Sequence, residues 1–221
     1  MILITNKSFV LEETKKYVRD KLEGEGSGHD WWHVYRVWKN AVHVGKGEKV
    51  DLFVVQLAAL LHDIADWKLH NGDESIGPKL AREWLEELRV EKDVVSHVCE
   101  IIKNVSFKGA GVKHKMKTKE GMVVWDADKL DAIGAMGIAR VFAYGGHMDR
   151  EIYNPDIKVI MHKSFEEYKN SKGSSINHFY EKLLLLKDLM NTKTAKKIAE
   201  RRHKFMENFL ERFFKEWNGK D

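Results

Sequence analysis

Cysteine and proline are nearly missing from the chain. A single cysteine, Cys99, excludes an intramolecular disulfide framework and any zinc knuckle or finger built on cysteine. Only 2 of 221 residues are proline, Pro78 and Pro155, which argues for long uninterrupted helices over a many-turned sandwich. No apolar run reaches the ~18 residues of a membrane span. The best candidate, 52–61, stops at His62-Asp63. The opening MILITNKSFV has too short an apolar run for a secretory signal and no cleavage site. These absences point to a soluble protein with the cytoplasm as its compartment.

Apolar residues make up 43% of the chain, enough for a sizeable core, so disorder as the main state is excluded. The net charge of +4 is unevenly spread. Residues 103–119 hold six lysines and no acid, and 193–204 hold six Lys/Arg against Glu200 alone. Such patches suit a phosphorylated small molecule or nucleic acid. For 193–204 the preferred reading is a solvated charged surface. The modest net charge and the lack of any RNA- or DNA-binding motif make nucleic acid an unexpected partner.

Helical periodicity dominates, and no strand signal is convincing. Phe9, Val10, Tyr17, Val18 and Leu22 mark a first amphipathic helix, closed by glycines at 24–28. A second is predicted from about Asp30 to Val44, and a third from Asp51 to about Ala65, each opening on a capping aspartate. The third is apolar nearly all round and belongs in the centre of the fold. Further helices are predicted at about 73–89, 92–104, 120–130, 132–143, 176–190 and 194–217. The 106–119 stretch reads as a loop. The expectation is an all-α single domain, 1–221, with a core at about 6–143, an irregular flap at about 144–175 and C-terminal helices at about 176–217.

The dipeptide His-Asp occurs twice, which chance explains. At His29-Asp30 capping accounts for it. His62-Asp63 ends a wholly apolar helix, where two ionisable neighbours are desolvated unless something pairs with them. A metal ion is the strongest such partner. Further ligands from neighbouring helices would be His33, inside WWHVYRVW, and Asp128, which shares an apolar helical face with Val124 and Ala132. Two imidazoles and two carboxylates suit Mn²⁺, Fe, Ni, Mg²⁺ or Zn²⁺ with water in the open positions. Each residue alone is more often structural; the order of the four is what counts.

That order, His33…His62-Asp63…Asp128, resembles the metal-binding signature of the HD-domain phosphohydrolase superfamily. The blocks GHDWWHVYRVWKNA, LAALLHDIADWK, VSFKG, DADKLDAIGAMGIARVFAYGG and INHFYEKLLLLKDLMNTKTAKKIAERRHKFMENFL are similar to its YedJ-like stand-alone subgroup. The resemblance covers almost the whole chain and is weakest at 109–119 and 147–172. It implies an all-helical HD bundle, with added C-terminal helices, that holds one divalent metal ion: Mn, Mg, Fe, Ni, Co or Zn. It also implies hydrolysis of phosphate esters or anhydrides, most often in nucleotides.

Asp66, one helical turn after His62, takes by this resemblance the role of the carboxylate that orients or deprotonates the attacking water. Lys108, Arg140 and Lys182 stand inside the resembling blocks and are the candidate phosphate-binding cations. His70, His97 or His114 would be needed for a second metal, but the dinuclear signature is missing. The expected activity is (deoxy)nucleoside triphosphate phospho- or pyrophosphohydrolysis. Alternatives are a nucleoside monophosphatase, a cyclic-nucleotide or alarmone phosphodiesterase, and a nucleotide-sensing or nucleic-acid-binding HD protein without turnover. The expected partner is a phosphorylated small molecule, with no membrane; a homodimer stays open.

Overall fold

The computed structural model describes residues 6–24, 30–65, 75–105, 116–161 and 173–220. Among the described residues the chain is helical, with nine α-helices, one 3₁₀ helix and no strand. It forms two compact units. The first contains α1 (Lys7–Leu22), α2 (Trp31–Lys46), α3 (Leu52–Leu61), α4 (Ile76–Glu87), α5 (Lys92–Val105) and α6 (Lys119–Asp131) through Asp128. The second takes up the chain at Lys129 and adds α7 (Gly134–His147), α8 (Ser175–Glu181), the 3₁₀ helix Leu183–Leu189 and α9 (Lys193–Trp217).

Side-chain caps fix where the helices of the first unit begin. Asn6 accepts from the amides of Ser8 and Phe9, Asp30 from His33 at 2.9 Å, Asp51 from Phe53 at 2.8 Å and Thr118 from Gly121 at 3.2 Å. Each satisfies a donor that the helix cannot, commonly worth ~1 kcal/mol. The apolar character of α3 sends it to the centre, where it packs on α1, α2 and α5. Val55, Leu57, Ala58, Ala59, Leu60 and Leu61 are all fully buried there. Burial of each Leu or Val contributes about 1.5–3 kcal/mol.

α4 lies on α5, and Cys99 of α5 is buried with its thiol 3.3 Å from the Pro78 carbonyl. Burial pushes the thiol's pKa up. α4 ends with Arg89 at φ 55°, where the Val90 amide reaches back to Leu85 at 3.0 Å. This is a left-handed helix stop that usually falls to glycine.

In the second unit α7 and the 3₁₀ helix pack on α9, and α8 on the 3₁₀ helix. Phe179 and Phe209 stack at 5.8 Å in its core. Three expectations are revised by the structure. The third helix stops at Leu61 rather than near Ala65. The predicted 176–190 helix is two elements, because Lys182 takes φ −143° and ψ −58° and the LLLL run continues as a 3₁₀ helix.

The helix predicted to end at 143 runs on through His147, with Gly145 and Gly146 inside it. Those glycines read as a breaker, yet Gly145 is there for space. A Cβ on it would lie 2.2 Å from the Ser175 hydroxyl.

Candidate metal centre

α2 and α3 pack side by side and each brings a histidine inward. Asp30 fixes the first turn of α2 by accepting the His33 amide, and His33 follows the cap into the interior. His62 is the residue at which α3 ends. Both imidazoles are buried, at 1% and 2% side-chain exposure, and their rings stand 5.4 Å apart, edge to face.

Carboxylates complete the cluster. Oδ2 of Asp63 lies 3.3 Å from Nε2 of His33 and 3.4 Å from Nε2 of His62. Oδ1 of Asp128 lies 3.5 Å from Nε2 of His33. One donor atom from each of His33, His62 and Asp128 can be chosen so that all three fall within 4.8 Å of one another. Both carboxylates keep about a fifth of their surface exposed (21% and 23%), so the cluster opens to solvent on their side.

The polarity of His62 is informative. Its Nδ1 lies 2.9 Å from the Ala59 carbonyl, to which it donates. That contact fixes the tautomer and turns the Nε2 lone pair toward the carboxylates. Among the described residues, Nε2 of His62 is buried and has no hydrogen-bond partner. A lone pair facing carboxylate oxygens is repulsive until a cation or a proton comes between them.

The His62 pKa records the same conflict. Burial lowers it, but the charge of Asp63, its contact with the ring and the charge of Asp128 together outweigh burial, and the net direction is up. His33 opposes the rise. The donor set, two imidazole nitrogens with two carboxylates, therefore fits a divalent cation of borderline hardness.

The other predicted site residues fall elsewhere. Asp66 and Lys108 lie outside the described residues, as do His29, His70 and His114. Arg140 and Lys182 belong to the second unit. Arg140 is engaged by the buried Asp131 at 2.7 Å, a pairing the sequence reading missed. The nine-residue spacing crosses a helix junction, so no helical periodicity announces it. Lys182 is half-buried at the end of α8.

Nε2 of His97 lies 2.8 Å from the hydroxyl that caps α6. The tryptophans of α2 lean on Tyr35, at 6.0 Å for Trp31, 5.9 Å for Trp32 and 5.8 Å for Trp38, and Trp38 donates to Gln56.

His33 from α2, His62 and Asp63 from the end of α3 and Asp128 from α6 thus gather in one cluster on an all-helical frame. The HD domain family matches residues 31–133. The chain belongs to that superfamily and is an HD-superfamily hydrolase. It is 39% identical to the YpgQ protein of Bacillus subtilis (strain 168) over 95% of each chain. Its fold is similar to that of an HD-superfamily hydrolase from Bacillus thuringiensis, with 46% identity, coverage of 96% and 98% of the two chains and a TM-score of 0.77. It is also similar to Bacillus subtilis YpgQ solved in complex with ADP, with 34% identity, coverage of 95% and 96% and a TM-score of 0.75. Among the described residues no helix is long and apolar enough to cross a membrane.

Proposed function

We propose that this chain is a metal-dependent phosphohydrolase acting on nucleotides, with hydrolysis of a (deoxy)nucleoside triphosphate as the preferred reaction. The observation that carries the reading is His62: a buried imidazole whose lone pair is turned, by its bond to Ala59, toward Asp63, with no hydrogen-bond partner among the described residues. His33, His62, Asp63 and Asp128 would hold one divalent cation. When bound, such an ion lowers the pKa of water and neutralises phosphoryl charge. The ADP complex of Bacillus subtilis YpgQ supports a nucleotide as the ligand class here.

The chain's own residues supply the remaining roles. Asp66, four residues after His62, takes the proton of the attacking water. Lys108, Arg140 and Lys182 hold the phosphates. Arg140, which also pairs with Asp131, would offer a planar guanidinium, whereas the lysines act as point charges.

The test is a screen of nucleotides with Mn²⁺, Mg²⁺, Co²⁺ and Ni²⁺, analysed for phosphate against pyrophosphate. Metal-dependent turnover of a nucleoside triphosphate is expected, and no turnover with any pair would overturn the reading. On the best substrate Asp66→Asn should lower kcat by ~10²–10⁴, the usual contribution of a general base, with metal content unchanged. Loss of metal along with activity would make Asp66 a ligand instead.

A further inference from the structure

The sequence alone reads 193–204 as a solvated surface, but folding arranges it. In α9, Lys193, Lys197, Arg201 and Phe205 are spaced four residues apart and form one exposed ridge, with Lys196 beside it. Among the described residues none of these four cations makes an ion pair, whereas Lys204 and His203 are both engaged by Glu207 at 3.3 Å. Glu200 lies among these cations and cancels part of their charge, while Glu207 and Glu211 stand on the same face beyond Arg201, where Lys204 and Lys215 pair with them. Phe205 ends the ridge 52% exposed.

From Lys193 to Arg201 the helix rises about 12 Å at 1.5 Å per residue. Phosphates along one strand of a stacked nucleic acid recur every ~3.4 Å. The ridge thus matches three to four consecutive phosphates. An exposed aromatic at the end of such a track is a platform for an unpaired base.

We infer that the Lys193–Lys197–Arg201–Phe205 ridge of α9, with Lys196, binds single-stranded nucleic acid, the cations on successive phosphates and Phe205 under a base. A membrane surface fits less well. Farther along the same face stand Asn208, Glu211 and Arg212, so one phenylalanine would have to insert without an apolar stripe around it. The inference concerns a face built wholly from α9 and is independent of the hydrolase reading.

The test follows the fluorescence anisotropy of a labelled single-stranded RNA of mixed sequence titrated with the whole protein. Three to four phosphate contacts predict that affinity falls about 20–50-fold when salt rises from about 50 to about 200 mM. Lys197→Glu with Arg201→Glu should lower affinity at least ~10-fold and flatten that salt dependence. Phe205→Ala should lower affinity about 10-fold with the salt dependence unchanged, since stacking is not ionic. These positions are exposed, and equal thermal melting of wild type and variants serves as the folding control. No binding at about 50 mM salt, undiminished binding by either variant, or equal binding to phosphatidylserine vesicles would each overturn the inference.

Discussion

The carbonyl of Ala59 decides what His62 can do. By accepting from Nδ1 it leaves Nε2 as the only nitrogen for a cation, and the same nitrogen for a proton. The raised His62 pKa therefore has two opposite consequences. Without metal, proton uptake stabilises the fold. That contribution is complete below the ordinary imidazole value of 6.5 and is lost as pH rises through the higher folded value. A divalent cation competes with the proton, so it binds better as pH rises through the same window. The gap between the melting temperatures with Mn²⁺ and with chelator should widen as pH increases from about 6 to about 8. A gap independent of pH would remove His62 from the ligands. His62→Ala leaves two carboxylates facing each other with less to hold a cation between them. Breaking a buried compensated group typically costs ~3–5 kcal/mol, so a lower melting temperature and no metal-induced shift are expected in calorimetry.

Helix ends and helix contacts carry the next scale. Arg89 stops α4 in the left-handed conformation, which costs an L-residue ~1–2 kcal/mol and glycine less. Arg89→Gly should therefore stabilise the protein by up to about 1 kcal/mol, read as a rise in denaturant midpoint at constant slope. Gly145→Ala has the opposite sign. Its new methyl meets the Ser175 hydroxyl, and overpacking of this kind costs ~1–3 kcal/mol. Removing that hydroxyl with Ser175→Ala leaves Ser175 Cβ at 3.5 Å, an ordinary contact, so the double variant should recover most of the loss. A double variant as unstable as Gly145→Ala would mean that the helix itself, not the contact, needs glycine. This pair also shows what the sequence hides. A glycine pair looks like a helix end unless the neighbour that needs the space is known, and Ser175 is thirty positions away. The 176–190 segment misleads differently: LLLL satisfies an α period and a 3₁₀ period alike, and only the packing of α8 on the 3₁₀ helix chooses between them. Caps, in contrast, are local chemistry. Asp30 and Asp51 can be read directly because the acceptor and the amide it satisfies lie two or three residues apart.

For the molecule as a whole, the candidate centre lies entirely within the first compact unit, since His33, His62, Asp63 and Asp128 all belong to it. A ligand that binds only the folded form stabilises what it touches. Metal should therefore slow hydrogen exchange most in α2, α3 and the part of α6 before Lys129, and least in α8 and α9. Equal slowing everywhere would show that the chain opens only as one cooperative body. The four residues of the cluster were legible because the chain presents them in an order that a known architecture shares, with α3 marked as central by its lack of polar faces. The setting of Arg140 was not legible in the same way: it pairs with Asp131 across a helix junction, and nothing in its local sequence announces that bond. The near absence of cysteine has a last consequence. With its one thiol buried on α5 against the Pro78 carbonyl of α4 and its pKa pushed upward, the folded chain should resist alkylating reagents. The rate at which iodoacetamide adds a single mass increment then becomes a clock for the separation of α4 from α5, read on the native protein with no engineered label.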